Sequence, residues 1–205
     1  MENVYKVPNF LLPEEIEEID RILADENLWA IRSEKKKDPD LGRVVFTVQL
    51  PQEILSNVIK KAEKALNKTI MNPEGTALSC TFAHYESSHG QPNLAPHFDG
   101  DNNSVIIDYQ YKSNTSWPIG LDTEIFEMQD NEALIFNPNQ YPHWRPHKNF
   151  QDGEFVTMIF FRFPDFSGAT DYSHLQLNQA DPIFDKAKAF RDELGFIKSK
   201  TKEKE

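Results

Sequence analysis

The hydrophobic period of this chain changes once, near Ala77, and that change limits the fold more than any other feature. Before it, apolar residues recur at helical spacing; after it, they alternate as in strands. Pro13-Glu14-Glu15 opens a helix, with proline in the first turn and acids at the positive helix end. Ile16, Ile19, Ile22 and Leu23 form its apolar stripe. A second amphipathic helix runs from Pro51 to Leu66, with Ile54, Val58, Ile59, Ala62 and Leu66 on one side. Val4–Leu12 reads as a short strand or extended chain, Arg43–Leu50 as a strand and Asn72–Gly75 as a turn. Five strands follow: Ala77–Tyr85, Ser104–Tyr111, Thr123–Met128, Ala133–Phe136 and Glu154–Phe163. Pro182–Leu194 predicts a last helix, with Gly195 as its cap. Helices first, strands next and one helix last define an α+β chain, with a β-sandwich or jelly roll packed against helices.

Within the strand region, Ala95-Pro96-His97-Phe98-Asp99-Gly100 places a histidine and a carboxylate two residues apart. Residues i and i+2 of a strand share a face, so this pair can grip one ion. A further histidine near the start of the last strand would complete a set of two imidazoles and one carboxylate. Such a set suits iron(II) and leaves coordination positions open. His143, in Tyr141-Pro142-His143-Trp144-Arg145, and His147 both precede that strand. His143 is preferred because its segment directly follows the apolar strand Ala133–Phe136. His-x-Asp alone is a weak signal; the order strand, loop (Ser87–Pro96), His-x-Asp, strands, His, strand is far more specific.

Composition narrows the partners. A net charge of −11 and a pI near 5.0 argue against a nucleic-acid backbone or an anionic membrane. The single Cys80 cannot form an internal disulfide and reads as a small buried hydrophobe, which suggests a reducing compartment. The N-terminus lacks a signal pattern and no apolar run reaches membrane-spanning length. A cytoplasmic protein is expected. With 205 residues, 15 of them Phe, a single β-rich core is expected.

On these residues the chain resembles the iron(II)/2-oxoglutarate dioxygenases of the prolyl-4-hydroxylase-like superfamily. The likeness runs from about Leu78 to Phe163 and includes the opening Val7-Pro8-Asn9-Phe10-Leu11-Leu12-Pro13-Glu14-Glu15-Ile16. It implies a double-stranded β-helix (jelly-roll) core over 77–164, with N-terminal helices (1–76) packed on one sheet. It also implies a C-terminal extension over 165–197 with its helix, making 1–197 one domain; the Lys/Glu run over 198–205 reads as a flexible tail. It assigns His97, Asp99 and His143 as iron ligands. It implies hydroxylation of an unactivated C–H bond in a peptidyl residue, an amino acid or a small molecule. Fe(II), 2-oxoglutarate and O₂ are then required, ascorbate is a possible addition, and succinate and CO₂ are co-products. Relatives that halogenate replace the carboxylate ligand with a small residue; Asp99 therefore favours hydroxylation, with desaturation or ring formation left open.

The chain departs from the family at the cation that anchors the far carboxylate of 2-oxoglutarate. About ten residues after His143, where an Arg or Lys is usual, stand Glu154 and Phe155. Arg145, Arg43 and Arg162 are substitutes; Arg145 is preferred because it shares a strand face with His143, and Arg162 is expected to lie too far along its strand. Tyr85, Tyr111 and Thr157 are expected to place hydroxyls against the co-substrate. His84 is expected on the opposite face from Tyr85, His89 in the loop near substrate and His174 at the surface. Trp29, Trp117 and Trp144 read as core or pocket wall. Two other readings stay open: a cupin-like enzyme that uses metal without 2-oxoglutarate, and a non-catalytic jelly roll that keeps metal as a staple. Oligomeric state is not encoded in any of these features.

Overall fold

The structure, a computed structural model, describes residues 1, 3–25, 27, 35–70, 80–99, 105–163 and 185–194. The turn expected over 72–75, Trp29 and His174 lie outside them. In chain order the elements are β1 (Tyr5–Pro8), α1 (Pro13–Ala24), β2 (Lys36–Asp38), β3 (Arg43–Val48), α2 (Gln52–Leu66) and β4 (Cys80–Glu86). There follow β5 (Leu94–His97), β6 (Val105–Ser113), β7 (Ile119–Leu121), β8 (Glu124–Phe126), β9 (Glu132–Phe136), β10 (His143–Arg145), β11 (Phe155–Phe163) and α3 (185–194).

The strands form two antiparallel sheets. A seven-stranded sheet has the order β1-β9-β6-β11-β4-β3-β2, and a four-stranded sheet the order β5-β10-β7-β8. One face of the large sheet carries the helices. Ile19 and Ile22 of α1 and Ile54, Leu55, Val58, Ala62 and Leu66 of α2 pack on Phe82, Ile107, Tyr109, Ile135, Ile159 and Phe161. Each fully buried side chain of this kind contributes about 1.5–3 kcal/mol, so this layer is the main source of stability. Proline starts α1, and Glu15 accepts a hydrogen bond from the Leu12 amide at 2.7 Å, which satisfies one open donor of the first turn. The other Glu15 oxygen accepts from Asn57 Nδ2 at 2.8 Å and ties α1 to α2.

The other face of the large sheet meets the small sheet. Ile106, Leu134 and Phe136 from the large sheet pack on Ile119 and Leu121 from β7. Alongside, Ala83, Tyr85, Val156, Met158 and Phe160 pack on Trp117 and Phe150. The space between the sheets is therefore walled by apolar side chains from both layers. α3 closes the outside of β10, where Phe190 meets Trp144 at 6.0 Å.

Four short strands were not legible as strands. β2, β5, β7 and β10 span only three or four residues, too few for a period to show. The strand expected over Thr123–Met128 shrinks to β8, and the last helix is described only from 185. Cys80 is buried, burial pushes its thiol up to about 12, and it behaves as a core residue. Among the described residues no helix is long and apolar enough to cross a membrane.

Candidate metal centre

Two short strands of the small sheet bring the ligand candidates together. β5 and β10 pair antiparallel, and His97 and His143 are directly opposite each other, with ring centroids 4.1 Å apart. On the other side of β10, Gly120 of β7 leaves room for the Trp144 ring. It pairs with Trp144, and a Cβ there would meet the Trp144 ring at 2.2 Å. Trp144 thus lies flat on β7, and its neighbours His143 and Arg145 point to the other face, between the sheets. Strand β5 ends at His97, so Asp99 lies two residues beyond it rather than within the strand, as the simple i, i+2 argument had it. One ligand atom from each of His97, Asp99 and His143 nonetheless lies within 4.8 Å of the others.

The electrostatics suit a cation. Asp99 Oδ1 is 3.4 Å from His143 Nε2 and 3.6 Å from His97 Nε2. Burial alone would raise the Asp99 pKa; the facing His143 and His97 nitrogens and the charge of Arg162 outweigh it and hold the carboxyl well below its usual range. Burial lowers the pKa of His143, which favours the neutral, metal-binding imidazole. The His97 Nδ1 lies 2.9 Å from the Ala95 carbonyl. A proton donated there leaves Nε2 with its lone pair towards Asp99, the arrangement common among metal-bound histidines. Phe136 meets the His143 ring edge-on at 5.4 Å.

Arg145 is 3% exposed, on the same face of β10 as His143. Its Nη1 donates to the Trp117 carbonyl, and its Nη2 has, among the described residues, the Met158 sulfur as acceptor, at 3.4 Å. The guanidinium also stacks over Trp117 at 4.9 Å. A thioether is a weak acceptor, so this buried cation is poorly satisfied and open to a carboxylate. Tyr85 belongs to the same wall: its ring meets Trp117 at 5.0 Å, and its hydroxyl accepts from Arg43 Nη1 at 3.1 Å. Arg43 itself is turned to Asp38, at 3.1 Å.

Tyr111 and Thr157 correct the expectation made for them. Tyr111 lies in the helix-facing core and donates its hydroxyl to Asp20. Thr157 Oγ1 bonds His84 Nδ1 at 2.8 Å, on the face opposite Met158. Neither hydroxyl faces Arg145. Arg162 corrects the other way: its Nε is 3.6 Å from Asp99 Oδ2, beside the centre rather than remote from it. His147 is exposed, 3.1 Å from Asp192, and outside the cluster.

Asp108 of β6 was not anticipated. It lies on the face of the large sheet that looks onto the small sheet, 4% exposed, with one oxygen that accepts no hydrogen bond from the described residues. Burial raises its pKa to about 7 although Arg145 and Arg162 oppose the rise. A lone Asp within Val105-Ile106-Ile107-Asp108-Tyr109 was the available signal.

No protein-family profile and no curated protein matches this sequence. Solved structures do match its fold. A 2OG-Fe(II) oxygenase family oxidoreductase from Burkholderia pseudomallei has 11% identity and a TM-score of 0.52, over 79% of this chain and 84% of its own. A prolyl-4-hydroxylase from Pseudomonas putida has 15% identity and a TM-score of 0.52, over 79% and 92%. A Trichoplax adhaerens prolyl hydroxylase, solved with a hypoxia inducible factor oxygen degradation domain peptide fragment, has 14% identity and a TM-score of 0.54, over 80% and 84%. The sheets, the helices and these likenesses agree with the jelly-roll fold that those oxygenases have.

Proposed function

We propose that this protein is an Fe(II)- and 2-oxoglutarate-dependent oxygenase that hydroxylates an unactivated C–H bond of a peptidyl residue, amino acid or small molecule. The observation that carries the proposal is the His97–Asp99–His143 cluster set on the same β10 face as the under-satisfied cation Arg145. Two imidazoles and a carboxylate fit iron(II) and leave positions for small ligands. The double-stranded β-helix is part of the proposal, supported by the strand orders β9-β6-β11-β4 and β5-β10-β7-β8.

In the proposed enzyme, His97 and His143 offer Nε2 and Asp99 offers Oδ1. Arg145 binds the far carboxylate of 2-oxoglutarate in place of the thioether contact, with Tyr85 and Trp117 fixing its direction. Bound iron would supply O₂ activation: oxidative decarboxylation of 2-oxoglutarate to succinate and CO₂ takes up one oxygen atom, and the substrate C–H bond, oxidised to an alcohol, takes up the other. Trp117, Met158 and Phe160 exclude water from the space between the sheets. The peptide held by the Trichoplax adhaerens neighbour supports a peptide among the substrate classes.

The test is anaerobic titration with Fe(II) and then 2-oxoglutarate, following the weak visible band of the chelate. A band that is lost in His143→Ala, and needs far more 2-oxoglutarate in Arg145→Leu, supports the proposal. Iron binding with no band overturns the co-substrate assignment. A metal enzyme without 2-oxoglutarate then takes its place, a reading that the Asp108 carboxylate acting on Arg145 favours.

A further inference from the structure

The two oxygens of Asp99 have different surroundings. Oδ1 faces both histidine nitrogens, at 3.4 and 3.6 Å. Oδ2 is buried and accepts no hydrogen bond from the described residues; the cation beside it is Arg162, with Nε at 3.6 Å. At that separation the contact is an ion pair rather than a hydrogen bond.

Arg162 is itself anchored. It lies on the inner face of β11, two residues after Phe160, and its guanidinium stacks over the Phe160 ring at 5.3 Å. Its Nη1 donates to Thr81 Oγ1 of β4 at 3.2 Å. The charge that meets Asp99 is thus held by a stacked ring and by a neighbouring strand of the large sheet. Asp99 extends past the end of β5 in the small sheet, with no strand pairing of its own.

An unrestrained carboxylate can grip a divalent cation with both oxygens, whereas a guanidinium on one oxygen leaves only the other as donor. We propose that Arg162 is a positioning residue: it holds Asp99 Oδ2 so that Asp99 offers Oδ1 alone, and so keeps one more coordination position open. This rests on the metal-site reading above. It differs from a role in binding 2-oxoglutarate or substrate, because Arg162 acts only through Asp99.

The test uses Mn(II) as the probe. Mn(II) bound to the full-length protein relaxes bulk water in proportion to the exchangeable waters on the ion. In Arg162→Ala, Oδ2 is free to bind, and relaxation per bound Mn(II) falls by about one third, one of about three open octahedral positions being lost. Arg162→Lys keeps a cation near Oδ2 and retains the parent value. If Arg162→Ala fails to fold, Thr81→Val removes the anchor on the guanidinium from a distance and shifts the signal in the same direction. Parent-level relaxation per bound ion in Arg162→Ala, or in Thr81→Val where it stands in, overturns the proposal and leaves the metal site intact. A parent protein that binds no Mn(II) overturns the metal reading and this proposal together.

Discussion

Asp108→Asn should stabilise this protein at alkaline pH and leave it unchanged at acid pH. Asp108 lies on β6 between Phe160 of β11 and Leu134 of β9, on the face that looks into the space between the sheets. Burial raises its pKa from 3.8 to about 7, with the Asp99 charge adding to the rise and Arg145 and Arg162 limiting it. The folded state therefore holds a proton that the unfolded chain releases near pH 4. Below that both states are neutral and the group has no effect. As pH climbs from about 4 to about 7 the folded state loses stability, and above 7 the full cost is present. The span from 3.8 to about 7 amounts to about 4 kcal/mol at 1.36 kcal/mol per pH unit. Asparagine keeps the shape and never ionises. Urea unfolding of the metal-free protein from pH 4 to 8.5 should show the variant gaining up to about 4 kcal/mol at pH 8. That advantage should shrink to nearly nothing at pH 4. For a chain of this length it corresponds to about 10 °C in Tm. A constant offset across the range refutes the reasoning. So does destabilisation at pH 8, which would mean that Asp108 is an indispensable counter-charge to buried Arg145.

Arg145→Leu should raise the 2-oxoglutarate concentration needed for half-saturation by about 10- to 100-fold, the loss of one charge-assisted contact, while Fe(II) affinity by calorimetry stays put. Tyr111→Phe should cost about 1 kcal/mol in chemical denaturation and leave metal binding untouched, because its hydroxyl serves Asp20 on the helix side. Gly120→Ala forces a methyl against Trp144 and should lower stability by about 1–3 kcal/mol while weakening Mn(II) binding through His143; normal values for both would refute the role given to the Gly120–Trp144 contact.

The helices and long strands were legible because their faces differ. In α1, Ile19 and Ile22 are buried while Glu14, Glu17 and Arg21 are exposed, a contrast that a single sequence displays. Strand β6 offers no such contrast: Val105 to Tyr111 are all buried, since helices cover one face and the small sheet the other. Period alone places Tyr109 and Tyr111 together, opposite Asp108 and Gln110, but only the packing tells which pair looks inward. The same ambiguity set Thr157 on the wrong face, next to a register shift between Thr157 and Met158. Arg162 stands far along β11 from the start of that strand, yet Asp99, coming from the other sheet, meets it at 3.6 Å, a proximity that chain distance does not reveal. The grouping of His97, Asp99 and His143 was readable, since order and spacing carried it even though strand β10 did not show.

The direct opposition of His97 and His143 gives a bound ion a second consequence. β5 is an edge strand whose partner in the sheet is β10, and these two residues come from chain positions separated by β6 to β9. An ion held by both rings is a reversible cross-link present only in the folded chain, so, unlike a disulfide, it stabilises by its own binding free energy. Loading and release of metal would then set how often β5 peels away from the sheet, so that amide exchange of β5, rather than of the core strands, should report occupancy.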